Sequence, residues 1–241
     1  MSLFRLIVLG ILTLTAPVLA LAEDAENTLL LYAVSINQTP EKGRSGTGIY
    51  LGKGLVLTAS HVVGEALINR PHVTIAGQDL PARVIKQDTF ERSDLALLAI
   101  DEGNLPQALQ LRRISLCQTP PWPGQDVITV IPEEAVHSRV MSPVWLPLSA
   151  RRFSTVISDV TRTGNSGSGV FDAQKRCLLG IMSRKISQTR TRKDTGSRET
   201  FDIAKYFVPA SRIAEFMPAE FQFIAGELQS SGKQRTSQPA Q

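Results

Sequence analysis

The sequence predicts an all-β protein of two barrel-like units. Short β-prone stretches recur between turn residues from Leu29 to Pro209, a Pro-rich interval divides them into two sets of six, and the apolar period turns helical only after Pro209. The first set, over roughly 28–115, is LLLYAVSI, TGIYLG, LVLTAS, HVTIA, ARVIKQ and DLALLAI, with Gly, Pro, Asn and Asp at the breaks. The interval Leu116–Gln125, LCQTPPWPGQ, reads as an extended crossing segment. The second set, over roughly 124–210, is DVITVI, SRVMSPVWLPL, FSTVIS, SGVF, CLLGIMSRKI and DIAKYFVP. Periodicity alone accommodates either two six-stranded units or one large sandwich. Beyond Pro209, Ile213, Phe216 and Met217, then Phe221, Phe223 and Ile224, fall at helical intervals, so one or two short helices over 210–228 are expected against an edge of the second unit. The polar tail 229–241 is expected to be disordered.

Residues 1–22 have the layout of a cleavable secretory signal. Arg5 precedes an apolar run that is interrupted by Gly10, Thr13, Thr15 and Pro17 and ends in Ala20-Leu21-Ala22, ahead of acidic residues. Cleavage there starts the mature chain at Glu23 and places it in the periplasm or outside the cell; an uncleaved anchor is the other reading of the same run. No later segment is apolar enough to span a bilayer, so no stable membrane insertion is expected after cleavage. The domain that remains, 23–228, is long enough to bury a full core without a disulfide framework. Its two cysteines, Cys117 and Cys177, are a bridge in an oxidising compartment or two buried thiols, and both readings stay open.

The charge balance, 26 Lys+Arg against 22 Asp+Glu, is mildly basic and gives no argument for a nucleic-acid partner. No His/Cys cluster has metal-ligand spacing and no glycine loop has a phosphate-cradling pattern, so neither metal nor cofactor is expected.

Three segments carry chemistry. In Thr58-Ala59-Ser60-His61-Val62-Val63 an apolar strand runs into a histidine flanked by small residues, which alone reads as easily as a structural histidine. Asp94, in Ser93-Asp94-Leu95-Ala96-Leu97-Leu98, opens a strongly apolar strand and alone would be a strand-end cap. The segment Thr163-Gly164-Asn165-Ser166-Gly167-Ser168-Gly169-Val170 differs in kind. A serine hydroxyl is a weak nucleophile that needs exposure, a base, and donors for an oxyanion, and flanking glycines let successive N–H groups converge on one point. The donors here would be the N–H groups of Gly164 and Ser166. A glycine-rich turn without chemistry is the alternative. The order His61, Asp94, Ser166 puts base and carboxylate in the first unit and nucleophile in the second, so the site would lie in the cleft between them.

These motifs resemble those of trypsin-like serine proteases: TASHVV the histidine motif, SDLALL the aspartate motif, GNSGSG the serine motif. The resemblance runs from about residue 43 to 215 and is nearest to exported bacterial Deg/HtrA-type proteases, which share the asparagine before the serine and a late segment similar to DIAKYFVPASRI. It implies a chymotrypsin-like fold of two six-stranded antiparallel barrels and a serine endopeptidase with Ser166 as nucleophile, His61 as general base and Asp94 orienting the histidine. It also implies that Ser183 stands beside the substrate backbone and bonds Asp94, and that substrate pairs as an added strand along Ser183, Arg184 and Lys185. Asn165 cannot form the ion pair with a new N-terminus that activates many relatives, so no such zymogen step is expected. Ser168-Gly169 replaces the common Gly-Pro, and the chain leaves no room for the peptide-binding domain that usually follows in Deg-type proteins.

Counting back from Ser166 places Val160, with Thr161 beside it, at the base of the specificity pocket, which disfavours Lys or Arg in the substrate. A shift of one residue would bring Asp159 there and reverse that expectation. The run Ser183–Thr200 carries Arg184, Lys185, Arg190, Arg192, Lys193 and Arg198, and either attracts acidic substrates or an anionic surface or is a solvated, flexible hairpin loop with no specific partner. The expected partner is a peptide or protein substrate; the sequence sets no oligomeric state. Two other classes remain: a catalytically silent relative that binds peptides, and an exported β-barrel protein whose motifs are coincidental, in which His61, Asp94 and Ser166 would be far apart.

Overall fold

The computed structural model describes residues 27–39, 45–65, 68–158 and 166–221. The expected signal segment 1–22, the tail 229–241 and the helical stretch 222–228 lie outside them.

The first unit is set up by turn chemistry. Lys53-Gly54 (φ 52° and 69°) and Ala76-Gly77 (φ 50° and 77°) both place two consecutive residues in the left-handed region. This is the tight two-residue turn whose twist matches antiparallel strands. The first closes β2 (Gly46–Gly52) onto β3 (Leu55–Ala59), and the second closes β4 (His72–Ile75) onto β5 (Gln78–Pro81). With β1 (Ala33–Asn37), β6 (Arg83–Gln87) and β7 (Leu95–Ala99) they make one curled sheet of seven strands, in the order β5-β4-β1-β2-β3-β7-β6. The strand beyond the expected six is β5, whose QDLP holds a single large apolar residue.

The second unit is a closed barrel ordered β10-β13-β12-β11-β8-β9. Its strands are β8 (Asp126–Ile131), β9 (Glu134–Met141), β10 (Val156–Ile157), β11 (Gly169–Asp172), β12 (Leu178–Thr191) and β13 (Arg198–Pro209). The stretch SRVMSPVWLPL is not one strand. Pro143 and Pro147, which lack an N–H for the ladder, break it into the end of β9 and two 3₁₀ turns, Pro143–Trp145 and Leu148–Ala150. The basic run is not a long loop either, because β12 and β13 continue as a paired arm out to Thr191↔Arg198. Thr189–Thr200 hydroxyl and Lys185–Asp202 contacts, at 3.1 and 2.8 Å, tie its two strands together.

Alternation along β3 explains how the units join. Val56 faces the interior of the first unit with Val34, Ile36, Tyr50 and Leu98, while Leu55 and Leu57 face outward. There they meet Ile128, Val130, Phe171 and Ile181 of the barrel and Ile213 and Phe216 of the C-terminal helix Ala210–Phe216, in one cluster shared by both units. Each fully buried aliphatic side chain in such a cluster contributes about 1.5–3 kcal/mol. Buried Tyr50 donates its hydroxyl to Glu102 at 2.9 Å, and desolvation pushes its phenol up to about 12.

Cys117 and Cys177 are joined, with Cα atoms 5.0 Å apart, fastening the crossing segment to the turn between β11 and β12. Closing a loop with a sequence separation of 60 corresponds to about 4 kcal/mol of denatured-state entropy. Among the described residues no helix is long and apolar enough to cross a membrane.

Candidate active site

His61 and Asp94 are brought together by strand pairing. β3 and β7 are in register Ala59↔Leu95, so the residues just beyond one strand and just before the other are neighbours. His61 sits in the one-turn helix Ser60–Val63 that follows β3, and Asp94 ends the 88–94 loop with φ 54°, a left-handed conformation that a short polar side chain tolerates. Hydrogen bonds from Ser60 N to Asp94 O (3.0 Å), Asp94 N to Thr89 O (2.9 Å) and Asp88 N to Leu95 O (2.9 Å) fix that loop.

The Asp94 carboxylate is fully buried and accepts three donors. His61 Nδ1 lies 3.0 Å from both oxygens, the His61 backbone N–H reaches Oδ1 at 3.2 Å, and the Ser183 hydroxyl donates to Oδ2 at 2.5 Å. A buried carboxylate so surrounded has its desolvation offset by charge-assisted bonds. With Asp94 accepting from Nδ1–H, the Nε2 lone pair of His61 is left to take up a proton, and the imidazole keeps 35% of its surface exposed to do so.

Ser166 arrives from the other unit, at the turn before β11. Its carbonyl accepts the backbone N–H of Thr47 at 2.9 Å and the Thr47 hydroxyl at 3.1 Å, while Gly167 N–H donates to Met182 O at 2.8 Å. Gly167 has φ +91°, and a Cβ there would sit 1.8 Å from the carbonyl oxygen of Thr47, so the turn admits no side chain at this position. The Thr58 hydroxyl in turn donates to that same Thr47 carbonyl at 2.6 Å, and the hydroxyls of Thr47 and Ser168 lie 2.9 Å apart. The Ser166 hydroxyl donates to Ser183 O at 3.3 Å.

Ser183 therefore touches both halves of the site, its hydroxyl on Asp94 and its carbonyl on Ser166. The structure brings together His61, Asp94, Ser166 and Ser183, with Arg184 and Lys185 following on β12. Gly164, Val160 and Thr161, with Asp159 and Asn165, lie outside the described residues. Sequence reasoning missed Thr47 and Thr58, which hold the serine turn from the opposite unit, and Phe90, whose ring meets the His61 ring edge-on at 5.6 Å. Nothing in local sequence marks the threonines. Phe90, a lone aromatic in a polar loop four residues before Asp94, was the one visible signal.

Among the described residues no group of three or more His, Cys, Asp or Glu side chains is arranged to hold a metal ion. The His61 imidazole and the Ser166 hydroxyl are thus both tied to Ser183, one through the buried Asp94 carboxylate and the other through the Ser183 carbonyl.

A family model described as trypsin-like peptidase domain matches residues 46–181. No curated protein sequence matches the chain. Among solved structures, the chain is similar to the active form of the Rv3671c protease from M. tuberculosis, with 18% identity, 79% of this chain and 81% of that one covered, and a TM-score of 0.54. The serine endoprotease from Yersinia pestis matches at 19% identity over 78% of this chain and 61% of that one, with a TM-score of 0.53. The protease domain of MamO from Magnetospirillum magneticum matches at 19% identity over 79% of this chain and 98% of that one, with a TM-score of 0.53. At these identities the likeness is one of fold.

Proposed function

Since the chain belongs to the trypsin-like peptidase domain family, and is a serine-type endopeptidase by that membership, we propose that it is exported and cleaves peptide bonds through an acyl-enzyme on Ser166. The observation that carries this reading is the continuous chain of contacts His61–Asp94–Ser183–Ser166, which joins the two units at one point.

The reaction follows from that chain. The Ser166 hydroxyl turns from Ser183 O, its Oγ attacks the carbonyl carbon of the scissile bond, and His61 Nε2 takes the hydroxyl proton. Asp94 holds the imidazole in the required tautomer and stabilises the imidazolium without taking the proton. The tetrahedral intermediate collapses, the C–N bond breaks, and His61 returns the proton to the leaving amine. Water then attacks the ester carbon with His61 as base, and the acid product leaves as Ser166 regains its proton. The N–H groups of Ser166 and Gly164 are the proposed donors to the oxyanion. Val160 and Thr161 are proposed to line a pocket for an uncharged side chain, and the backbone of Ser183, Arg184 and Lys185 to pair with the substrate as an added strand. Export rests on the composition of residues 1–22 and accords with the Cys117–Cys177 bridge.

Labelling the purified protein with a fluorophosphonate probe tests the reading. Wild type is expected to be labelled at Ser166, and Ser166→Ala and His61→Ala to be silent, with peptide hydrolysis reduced by about 10⁵–10⁶. A folded wild type that takes no label would overturn it in favour of a catalytically silent peptide-binding module.

A further inference from the structure

Arg184 follows Ser183 on β12, and its guanidinium is tightly held. The guanidinium carbon lies 3.9 Å from the centroid of the Phe90 ring and 5.9 Å from that of Phe153. One terminal nitrogen donates to the Phe90 carbonyl, and Nε donates to the Ser183 hydroxyl at 3.3 Å. Stacking and two hydrogen bonds fix a cation on the long, flexible side chain of a half-buried residue. They use two of its five N–H groups. The other three have no protein acceptor among the described residues, and no carboxylate there forms an ion pair with Arg184. Its neighbour Lys185 behaves differently, reaching Asp202 at 2.8 Å.

The position matters because the outer edge of β12 is open here. β11 pairs with β12 only as far as Ile181, so from Ser183 onward that edge carries no strand among the described residues. A peptide added along Ser183–Lys185, as proposed above, lays its side chains alternately on either side of the new strand. One of them comes over the guanidinium between Phe90 and Phe153. A fixed, partly desolvated fork of N–H donors matches a carboxylate in geometry and charge, while a lysine or arginine in the same place would set cation against cation.

We propose that Arg184 is a specificity residue that selects an aspartate or glutamate side chain in the substrate segment lying along β12. The proposal rests on the peptidase reading above and names its substrate class: acidic, extended segments. The site is formed by Phe90 of the first unit together with Phe153 and Arg184 of the second.

The test uses a peptide that wild type cleaves at one bond, with glutamate and then glutamine moved through the four residues on each side of that bond. At one position glutamate is expected to exceed glutamine by about tenfold or more in kcat/KM, chiefly through KM, and to lose that advantage as salt is raised. Arg184→Gln is expected to bring the glutamate-to-glutamine ratio to about one, and Arg184→Glu to shift the preference to lysine. Glutamate favoured nowhere, or a ratio in Arg184→Gln equal to that of wild type, would overturn the proposal. Fluorophosphonate labelling of the same samples separates the two readings. Labelled protein without an acidic preference removes this inference and leaves the peptidase; folded wild type without label removes both.

Discussion

His61 and Asp94 stand 33 residues apart, just beyond the ends of two paired strands of one sheet, whereas Ser166 is held by Thr47, 119 residues away in the opposite unit. The proposed base and its orienting carboxylate are thus a local product of the register between β3 and β7 and of a loop closed by its own backbone bonds. The turn that carries Ser166 depends on the packing of the two units, through the Thr58–Thr47–Ser166 ladder on one side and Met182 and Ser183 on the other. Damage on the first side should therefore show in chemistry with the fold intact, and damage on the second in placement and stability together.

The sharpest break of the local side is Asp94→Asn. Asparagine fits the buried site and tolerates the left-handed backbone, but its amide offers an N–H to the imidazole where a carboxylate had accepted one. His61 then carries its proton on Nε2 and cannot serve as base. We expect kcat for peptide hydrolysis to fall by about 10⁴, while the far-UV circular dichroism and melting temperature stay near those of wild type.

Thr47→Val breaks the other side. Valine keeps the shape of this fully buried residue and leaves its backbone bond to Ser166, but removes the hydroxyl that reaches the Ser166 carbonyl and the Ser168 hydroxyl. Losing buried hydrogen bonds of this kind costs about 1–3 kcal/mol, and a small displacement of the nucleophile costs up to about 10²-fold in rate. Stability to urea and kcat should fall together in this variant. A loss of rate with unchanged stability would show that the two sides are not held differently.

The same contrast accounts for what could be read in the sequence. The convergence of His61, Asp94 and Ser166 was legible because each stands where an apolar strand meets small or polar residues, and because histidine, aspartate and serine follow one another in an order that suits a cleft between two β units. Ser183 was legible through the family resemblance. Thr47 and Thr58 were not, because a threonine inside a strand looks like any other until the opposite unit is in place. The strand β5 escaped notice because its signal is the backbone of Ala76-Gly77, not the apolar pattern of QDLP. The arm of β12 and β13 read as loop because its residues beyond Ile186 are mostly polar and face water on both sides, so no buried face imposes an alternation. Arg184 was visible as part of a basic run, but only its stacking on Phe90 separates it from the solvated charges around it.

The smallest effect expected sharpens the local side. Burial would raise the Asp88 carboxyl, but the Ser93 hydroxyl at 2.6 Å, the Thr89 N–H and the charges of Arg92 and Lys86 together hold it below its usual range. Asp88 closes the loop that presents Asp94, with its carbonyl taking the Ser60 hydroxyl and its N–H reaching Leu95. A carboxyl whose folded pKa is depressed contributes stability above its unfolded value, and that contribution is lost as pH falls through the folded one. Ser93→Ala removes the strongest of the lowering contacts, so the variant should melt about 1–2 °C below wild type at neutral pH. The gap should narrow as the pH is taken below the carboxylate range, where Asp88 is protonated in both proteins. A gap that stays constant down to acid pH would assign the effect to the Ser93 hydroxyl alone, and would mean that the loop carrying Asp94 owes nothing to the charge on Asp88.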